Sequence, residues 1–231
     1  MPYFYAIQDN YYVVFVLIPL VISLIIQAKM KMTYRKYEKI SSSRGMTGYM
    51  AAEMVLKRHR ISNVSIEGVH GRLTDHFDPR VNVIRLSPQV YNGTSIAAIS
   101  IACHEAGHAV QYNENYTPIK LRNTILPVTN IGSSLSFPLI LLGLFFSIEP
   151  LIFIGIIFFS LVVIFHLVTL PVELNASSRA LAAIDSYEML SSDESKGAKK
   201  VLTAAALTYI AAFAASLAQL LRLILIFRDR R

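Results

Sequence analysis

The stretch Ala102-Cys103-His104-Glu105-Ala106-Gly107-His108-Ala109 sets two histidines four residues apart, with a glutamate directly after the first. On a helix, positions four apart share a face, so His104 and His108 can turn two imidazole nitrogens toward one metal ion. Glu105 then stands where it can take a proton from a water held at that ion. Zinc-dependent proteases use this arrangement for water-driven cleavage of peptide bonds. Two histidines do not complete such a site, which needs three protein ligands and one open position. The sequence does not continue as H-E-x-x-H-x-x-G-x-x-H, and Glu114, six positions past His108, falls off the histidine face of a continuous helix. The third ligand must come from elsewhere.

Glu173 is the best candidate. It follows Pro171, a residue favoured in the first turn of a helix, and Ala176, Ala180 and Ala183 share its face at helical spacing. A carboxylate followed by alanines lets that helix press against Gly107. An unpaired carboxylate beside an apolar segment would be costly, so Glu173 needs a metal or an arginine as partner. His166 is the rival, because an ionisable group inside an apolar stretch is a functional candidate by default. A second polar concentration lies in Thr74-Asp75-His76-Phe77-Asp78-Pro79. Asp75, His76 and Asp78 are candidate ligands or substrate contacts, and the plainer alternative is a solvated turn opened by Asp78-Pro79. His59 and His70 stand alone and call for ordinary hydrogen bonding. Cys103 is the single cysteine, so no intrachain disulfide framework exists, and its place on the motif helix favours packing over thiol chemistry.

The elements that must hold these groups are legible in outline. Thr47 is a candidate N-cap for a helix running toward Arg60. From Ile61 to Leu86, short β-branched runs between Gly68, Gly71, Asp78-Pro79 and Ser87-Pro88 read as two or three strands. An edge strand placed before a metal helix can pair with an extended substrate. Thr94 or Ser95 should cap the motif helix, with Ile96, Ile99, Cys103 and Val110 as its buried stripe. The apolar run ahead of His104 is too short to span a bilayer.

Only 16% of the 231 residues are charged while 54% are hydrophobic, which is the profile of a membrane protein. Tyr11 to Ala28, Ile125 to Ser147, Leu151 to Leu170 and Val201 to Phe227 each approach or exceed the ~20 residues that cross ~30 Å of hydrocarbon. Ile148-Glu149-Pro150 alone separates the middle pair, which therefore reads as a helical hairpin. Met1 to Asn10 has no Lys or Arg and no cleavage-like site follows, so the first stretch reads as an anchor. The basic flank from Lys29 to Lys36 then places the N-terminus outside and residues 29–124 in the cytoplasm. It also accounts for the net charge of +7 as topology signal and headgroup contact, with no nucleic-acid partner required. The fourth stretch leans toward spanning, although Arg228, Arg230 and Arg231 would then lie outside and Arg222 interrupts it.

Taken together, the anchor, Gly71-Arg72-Leu73-Thr74-Asp75-His76-Phe77-Asp78-Pro79, Leu86-Ser87, His104 to Gln111 and Pro171-Val172-Glu173-Leu174-Asn175-Ala176-Ser177 resemble the neutral zinc metallopeptidases of the YugP-like membrane type, which group with the gluzincins. The resemblance implies a mainly α integral membrane protein with about four transmembrane or membrane-associated helices. It also implies a zincin-like catalytic module of short strands, the HExxH helix and a glutamate-bearing helix. One zinc ion would be held by His104, His108 and Glu173, with Glu105 as catalytic base. Thr74 to Pro79 rises as a candidate lining of the active site. Many gluzincins carry an acidic residue four positions after the ligand glutamate, where it orients a histidine ligand. This chain has Ser177 there, leaving Asn175, His76 or Asp78 for the task.

The expected segments are an anchor at 1–28, the strands and motif helix at 29–124 and a transmembrane hairpin at 125–170. A helix with the third ligand follows at 171–200, and a C-terminal membrane helix with a basic tail at 201–231. The expected activity is proteolysis of peptides or proteins, membrane proteins among them, at the cytoplasmic face of the cell membrane. Arg179 is the expected oxyanion donor, with Tyr112 and His76 as rivals, or else it pairs with Asp185, Glu188 or a lipid headgroup. Two other readings compete. One is a membrane scaffold or adaptor with a structural or idle metal site, against which the presence of Glu105 argues. The other is an intramembrane protease, against which the short apolar run before His104 argues.

Overall fold

Among the described residues, four helices are long and apolar enough to cross a membrane, and they carry most of the chain. The structure, a computed structural model, describes residues 11–228. The first helix, α1 (Ile18–Glu38), is preceded by a π-helical turn over Val13–Leu17. The next three are α5 (Thr117–Phe146), α6 (Glu149–Ser186) and α7 (Ser192–Arg228). Between α1 and α5 come α2 (Gly48–Arg58), β1 (Ser65–Gly68), β2 (His76–Asp78), β3 (Val83–Leu86), the single turn α3 (Pro88–Tyr91) and α4 (Ile96–Asn113). The protein is thus mainly α with a small sheet, as the sequence predicts. Met1 to Asn10, on which the reading of an uncleaved anchor rests, and Arg230 and Arg231 of the basic tail lie outside the described residues.

Contacts divide the chain into two units. Among the described residues, one consists of 11–27, 121–170 and 208–228; the other of 28–120 and 171–207. In the first, α5 and α6 form the expected hairpin. The chain reverses at Ser147, whose φ of 56° is left-handed, and Ile148 N–H donates to the Gly143 carbonyl at 2.9 Å. The two helices come close because Gly155 lacks a side chain: a Cβ there would lie 2.9 Å from the Ser136 carbonyl oxygen. Small residues serve this purpose between membrane helices, where dispersion takes over from the hydrophobic effect. His166 belongs to this unit, with its Nδ1 3.0 Å from the Ser216 hydroxyl on α7.

The second unit is built around α4. Ser95 caps it, its hydroxyl accepting from Ala98 N–H at 3.1 Å, and Ile96, Ile99, Cys103 and Val110 are all buried. Burying an isoleucine of this kind contributes roughly 1.5–3 kcal/mol. The stripe packs in one core with Val55 and Leu56 of α2, Val90 of α3, and Ala180, Ala183 and Ile184 of α6. Thr47 caps α2 by accepting from Met50 N–H. Cys103 is buried in this core, its Sγ 3.5 Å from Met189 Sδ, and burial pushes its thiol up to about 12. In the sheet, β3 is central, parallel to β1 and antiparallel to β2, with Phe77 opposite Ile84. Asn82 closes the β2–β3 hairpin at a φ of 53°, a conformation that asparagine tolerates better than most residues.

The structure corrects one expectation about the elements. Pro171 does not begin a helix but lies inside α6, which runs unbroken from Glu149 to Ser186. Proline inside a helix removes one backbone hydrogen bond, yet ending the helix in apolar surroundings would leave more groups unpaired. For the same reason α5 carries Pro127 and Pro138 internally. The limits read at 28, 124, 170 and 200 therefore each fall within a helix. They mark changes of sequence character, not ends of elements.

Candidate metal centre

Each of the three candidate donors owes its place to a local feature. His104 and His108 lie one turn apart on α4, their rings 4.8 Å between centroids and nearly perpendicular. Glu173 lies on α6, which approaches α4 where α4 carries glycine. A Cβ on Gly107 would lie 2.9 Å from the Ala176 carbonyl oxygen and 3.5 Å from its Cα, so any side chain there would hold the helices apart. Ala176, Ala180 and Ala183 complete the flat face of α6. This contact carries Glu173 to the histidines. Its Oε2 lies 3.3 Å from His104 Nε2 and 3.6 Å from His108 Nε2, and Glu173 is only 2% exposed.

Among the described residues, His104, His108 and Glu173 form a group whose donor atoms all lie within 4.8 Å of one another. The donor set fits zinc. Zinc takes imidazole nitrogen and carboxylate oxygen at about 2.0–2.2 Å, and tetrahedral angles then space the donors roughly 3.4 Å apart. The two nitrogen-to-oxygen separations match that spacing. Glu105, next to His104 on α4, is 9% exposed. Burial works against a charge on His108, yet its hydrogen bond to Glu173 and the negative charges of Glu105 and Glu173 outweigh that and raise its pKa.

Behind each histidine stands a polar partner on the side away from Glu173. His104 Nδ1 is 3.2 Å from Ser177 Oγ, and His108 Nδ1 is 3.0 Å from Gln111 Oε1. A ligand histidine whose second nitrogen is hydrogen-bonded is fixed in ring orientation and tautomer. Ser177 thus occupies, with a hydroxyl, the place where an acidic residue was missed. Gln111 was not anticipated, although its position three residues after His108 put it on the same helical face. It is fully buried and also donates from Nε2 to the Val172 carbonyl at 2.8 Å and to Asn175 Oδ1 at 2.9 Å.

The remaining candidates separate. Asn175 stands behind the histidines, through Gln111. Arg179 has other partners than those expected: its Nε donates to Asn175 Oδ1 at 2.8 Å and its Nη1 pairs with Glu114 Oε2 at 2.7 Å. Neither Asp185 nor Glu188 holds it, because Glu114 caps the end of α4 within its reach. Asp75, His76 and Asp78 do not join the donor group. Asp75 accepts from Ser87 N–H at 2.7 Å and from its hydroxyl, while burial raises its carboxyl. Asp78 is bonded by Arg80 through Nε and Nη2, and that side chain holds its carboxyl well below the usual range. His76 has its Nδ1 2.7 Å from the Thr74 carbonyl oxygen. These groups tie together the β2–β3 hairpin and the turn into α3, where Arg80, Arg85 and Ser87 meet their charges. The hairpin still reaches α4, where Phe77 packs edge-on against Tyr112 with centroids 6.0 Å apart. His166 and His70 are not in the donor group, and His59 Nδ1 lies 3.6 Å from Glu114 Oε1.

Among the described residues, two histidines and a glutamate thus form a group that could hold a metal ion, on a chain with four helices long and apolar enough to cross a membrane. The chain belongs to the family described as "Putative neutral zinc metallopeptidase", which residues 12–228 match. It is also similar to the "Putative membrane protease YugP" of Bacillus subtilis (strain 168), with 47% identity over 205 residues, 89% of this chain and 91% of that protein. No solved structure matches it significantly.

Proposed function

We propose that the protein is a membrane-bound protease of the gluzincin type, in which His104, His108 and Glu173 hold one zinc ion and Glu105 is the general base. The observation that carries this reading is the approach of Glu173 Oε2 to both Nε2 atoms, at 3.3 and 3.6 Å, from a helix 65 or more positions further along the chain. When bound, zinc supplies a Lewis acid that polarises the substrate carbonyl and lowers the pKa of water. Glu105 accepts the proton of the attacking water and returns it to the leaving amine. Ser177 and Gln111 keep both imidazoles turned so that Nε2 faces the centre. Glu173 adds a negative charge that offsets the ion where water is excluded.

The substrate is a peptide or protein in extended form. β2 pairs with β3 on one side only, and its outer edge offers backbone groups to a further strand beside α4. With Arg179 held by Glu114 and Asn175, the expected oxyanion donor falls to Tyr112 or His76. A cytoplasmic position for the centre is supported by the basic flank from Lys29 to Lys36 at the end of the first span.

Glu105→Gln is the direct test. The variant should bind zinc as the wild type does and fail to cleave an unstructured protein in detergent, with the rate down by at least about 100-fold. Wild-type turnover by the variant would refute the mechanism. Stoichiometric zinc without hydrolysis in the wild type would mark the scaffold alternative instead.

A further inference from the structure

Behind His108 the polar groups form a chain that leads away from the metal centre: Gln111, Asn175, Arg179 and Glu114. We propose that Asn175 and Arg179 are positioning residues, which hold Gln111 in the one orientation that makes His108 offer Nε2 to the metal. This inference rests on the reading of His104, His108 and Glu173 as zinc ligands, and gives Arg179 a role other than touching substrate.

The argument turns on groups that cannot exchange roles. A backbone carbonyl only accepts, and a guanidinium only donates. Val172 O faces Gln111 at 2.8 Å, so the Gln111 atom there must be the NH2 nitrogen. Arg179 Nε faces Asn175 at 2.8 Å, so the Asn175 atom there must be the oxygen. That same oxygen lies 2.9 Å from Gln111 Nε2 and accepts its second hydrogen. Both amides are thereby oriented without reference to the histidine. Gln111 Oε1 is left facing His108 Nδ1 at 3.0 Å, and an acceptor there requires the hydrogen on Nδ1. The lone pair of His108 must then be on Nε2, the atom that faces Glu173.

A neutral imidazole in water exchanges its hydrogen between the two nitrogens, and only one tautomer can ligate through Nε2. Val172 alone would orient Gln111 with one of its two amide hydrogens. Asn175 Oδ1 takes the other, and Arg179 keeps Asn175 from turning its own NH2 toward Gln111. Glu114 anchors Arg179 from the last residue of the α4 cap, so α4 carries both the ligand and the anchor, and α6 the two residues between.

The test measures zinc affinity of the full-length protein in detergent by competition with a chromophoric chelator. Gln111→Met, Asn175→Leu and Arg179→Met should each weaken zinc binding by about 10- to 100-fold. Asn175→Asp keeps an acceptor for Gln111 and Arg179 and should bind zinc close to wild type, which a role in packing alone would not distinguish from Asn175→Leu. Because Arg179 acts through Gln111, the double variant Gln111→Met/Arg179→Met should bind no more weakly than Gln111→Met alone. Arg179 is partly exposed, so its variant keeps the test informative if the buried substitutions fail to fold. Additive losses in the double variant, or equal losses in Asn175→Asp and Asn175→Leu, overturn the inference. Wild-type affinity in all the variants overturns it while leaving the zinc site in place; absence of zinc from the wild type overturns both.

Discussion

Glu173 is nearly inaccessible and meets two imidazoles through a single oxygen, which sets that oxygen where a metal ligand must stand. Glu173→Ala should therefore cost more in metal binding than in folding. We expect zinc content after dialysis to fall from one equivalent toward zero, with the helical circular dichroism retained. Full zinc occupancy in that variant would remove Glu173 from the site. The ligand candidates could be read in the sequence because metal chemistry restricts residue type and helical spacing together. Gln111 could not, since an amide behind a histidine satisfies no spacing rule that many surface residues do not also meet; Ser177 stood at the right spacing from Glu173 but was passed over because an acid was expected there. Asp75 and Asp78, read as candidate ligands or active-site lining, stand outside the donor group. Charged side chains in a turn look like ligands until Arg80, Arg85 and Ser87 are seen to claim them.

At the scale of elements, the centre depends on how closely α6 can approach α4. Gly107→Ala puts a methyl group 2.9 Å from a backbone oxygen that cannot swing aside, so the helices must separate or tilt. Overpacking of this kind costs about 1–3 kcal/mol, and the displacement moves Glu173 relative to His104 and His108. We expect a lower thermal midpoint in detergent together with weaker zinc binding; a variant that binds zinc with wild-type affinity would show that the approach is not limiting. The small residues at Gly107, Ala176 and Ala180 made this contact foreseeable. The continuity of α6 through Pro171 was not, because proline's local preference for a helix start is a weak force against the backbone hydrogen bonds that an apolar environment enforces. A helix of 38 residues rises about 57 Å, nearly twice the hydrocarbon thickness, and so has length to span and still deliver Glu173 beyond the apolar stretch.

For the molecule as a whole, hydropathy made the membrane segments legible, because burial in lipid is recorded residue by residue over long windows. The sidedness of the metal centre is recorded only in the distribution of Lys and Arg, and it can be tested with the chain's own chemistry. Cys103 is the one cysteine, is fully buried, and has a thiol raised to about 12, so the wild type should take up no maleimide in either membrane orientation. A cysteine introduced elsewhere is then a clean reporter. Ser62, exposed just before β1, belongs to the unit that holds the centre; Ile148 is exposed between α5 and α6. If the basic flank from Lys29 to Lys36 faces the cytoplasm, Ser62→Cys should resist a membrane-impermeant maleimide in intact cells and react in inverted vesicles. Ile148→Cys should show the reverse, since one crossing of the membrane separates the two ends of α5. Labelling of Ser62→Cys in intact cells would place the centre outside and redirect the search for substrates to proteins exposed at the outer face.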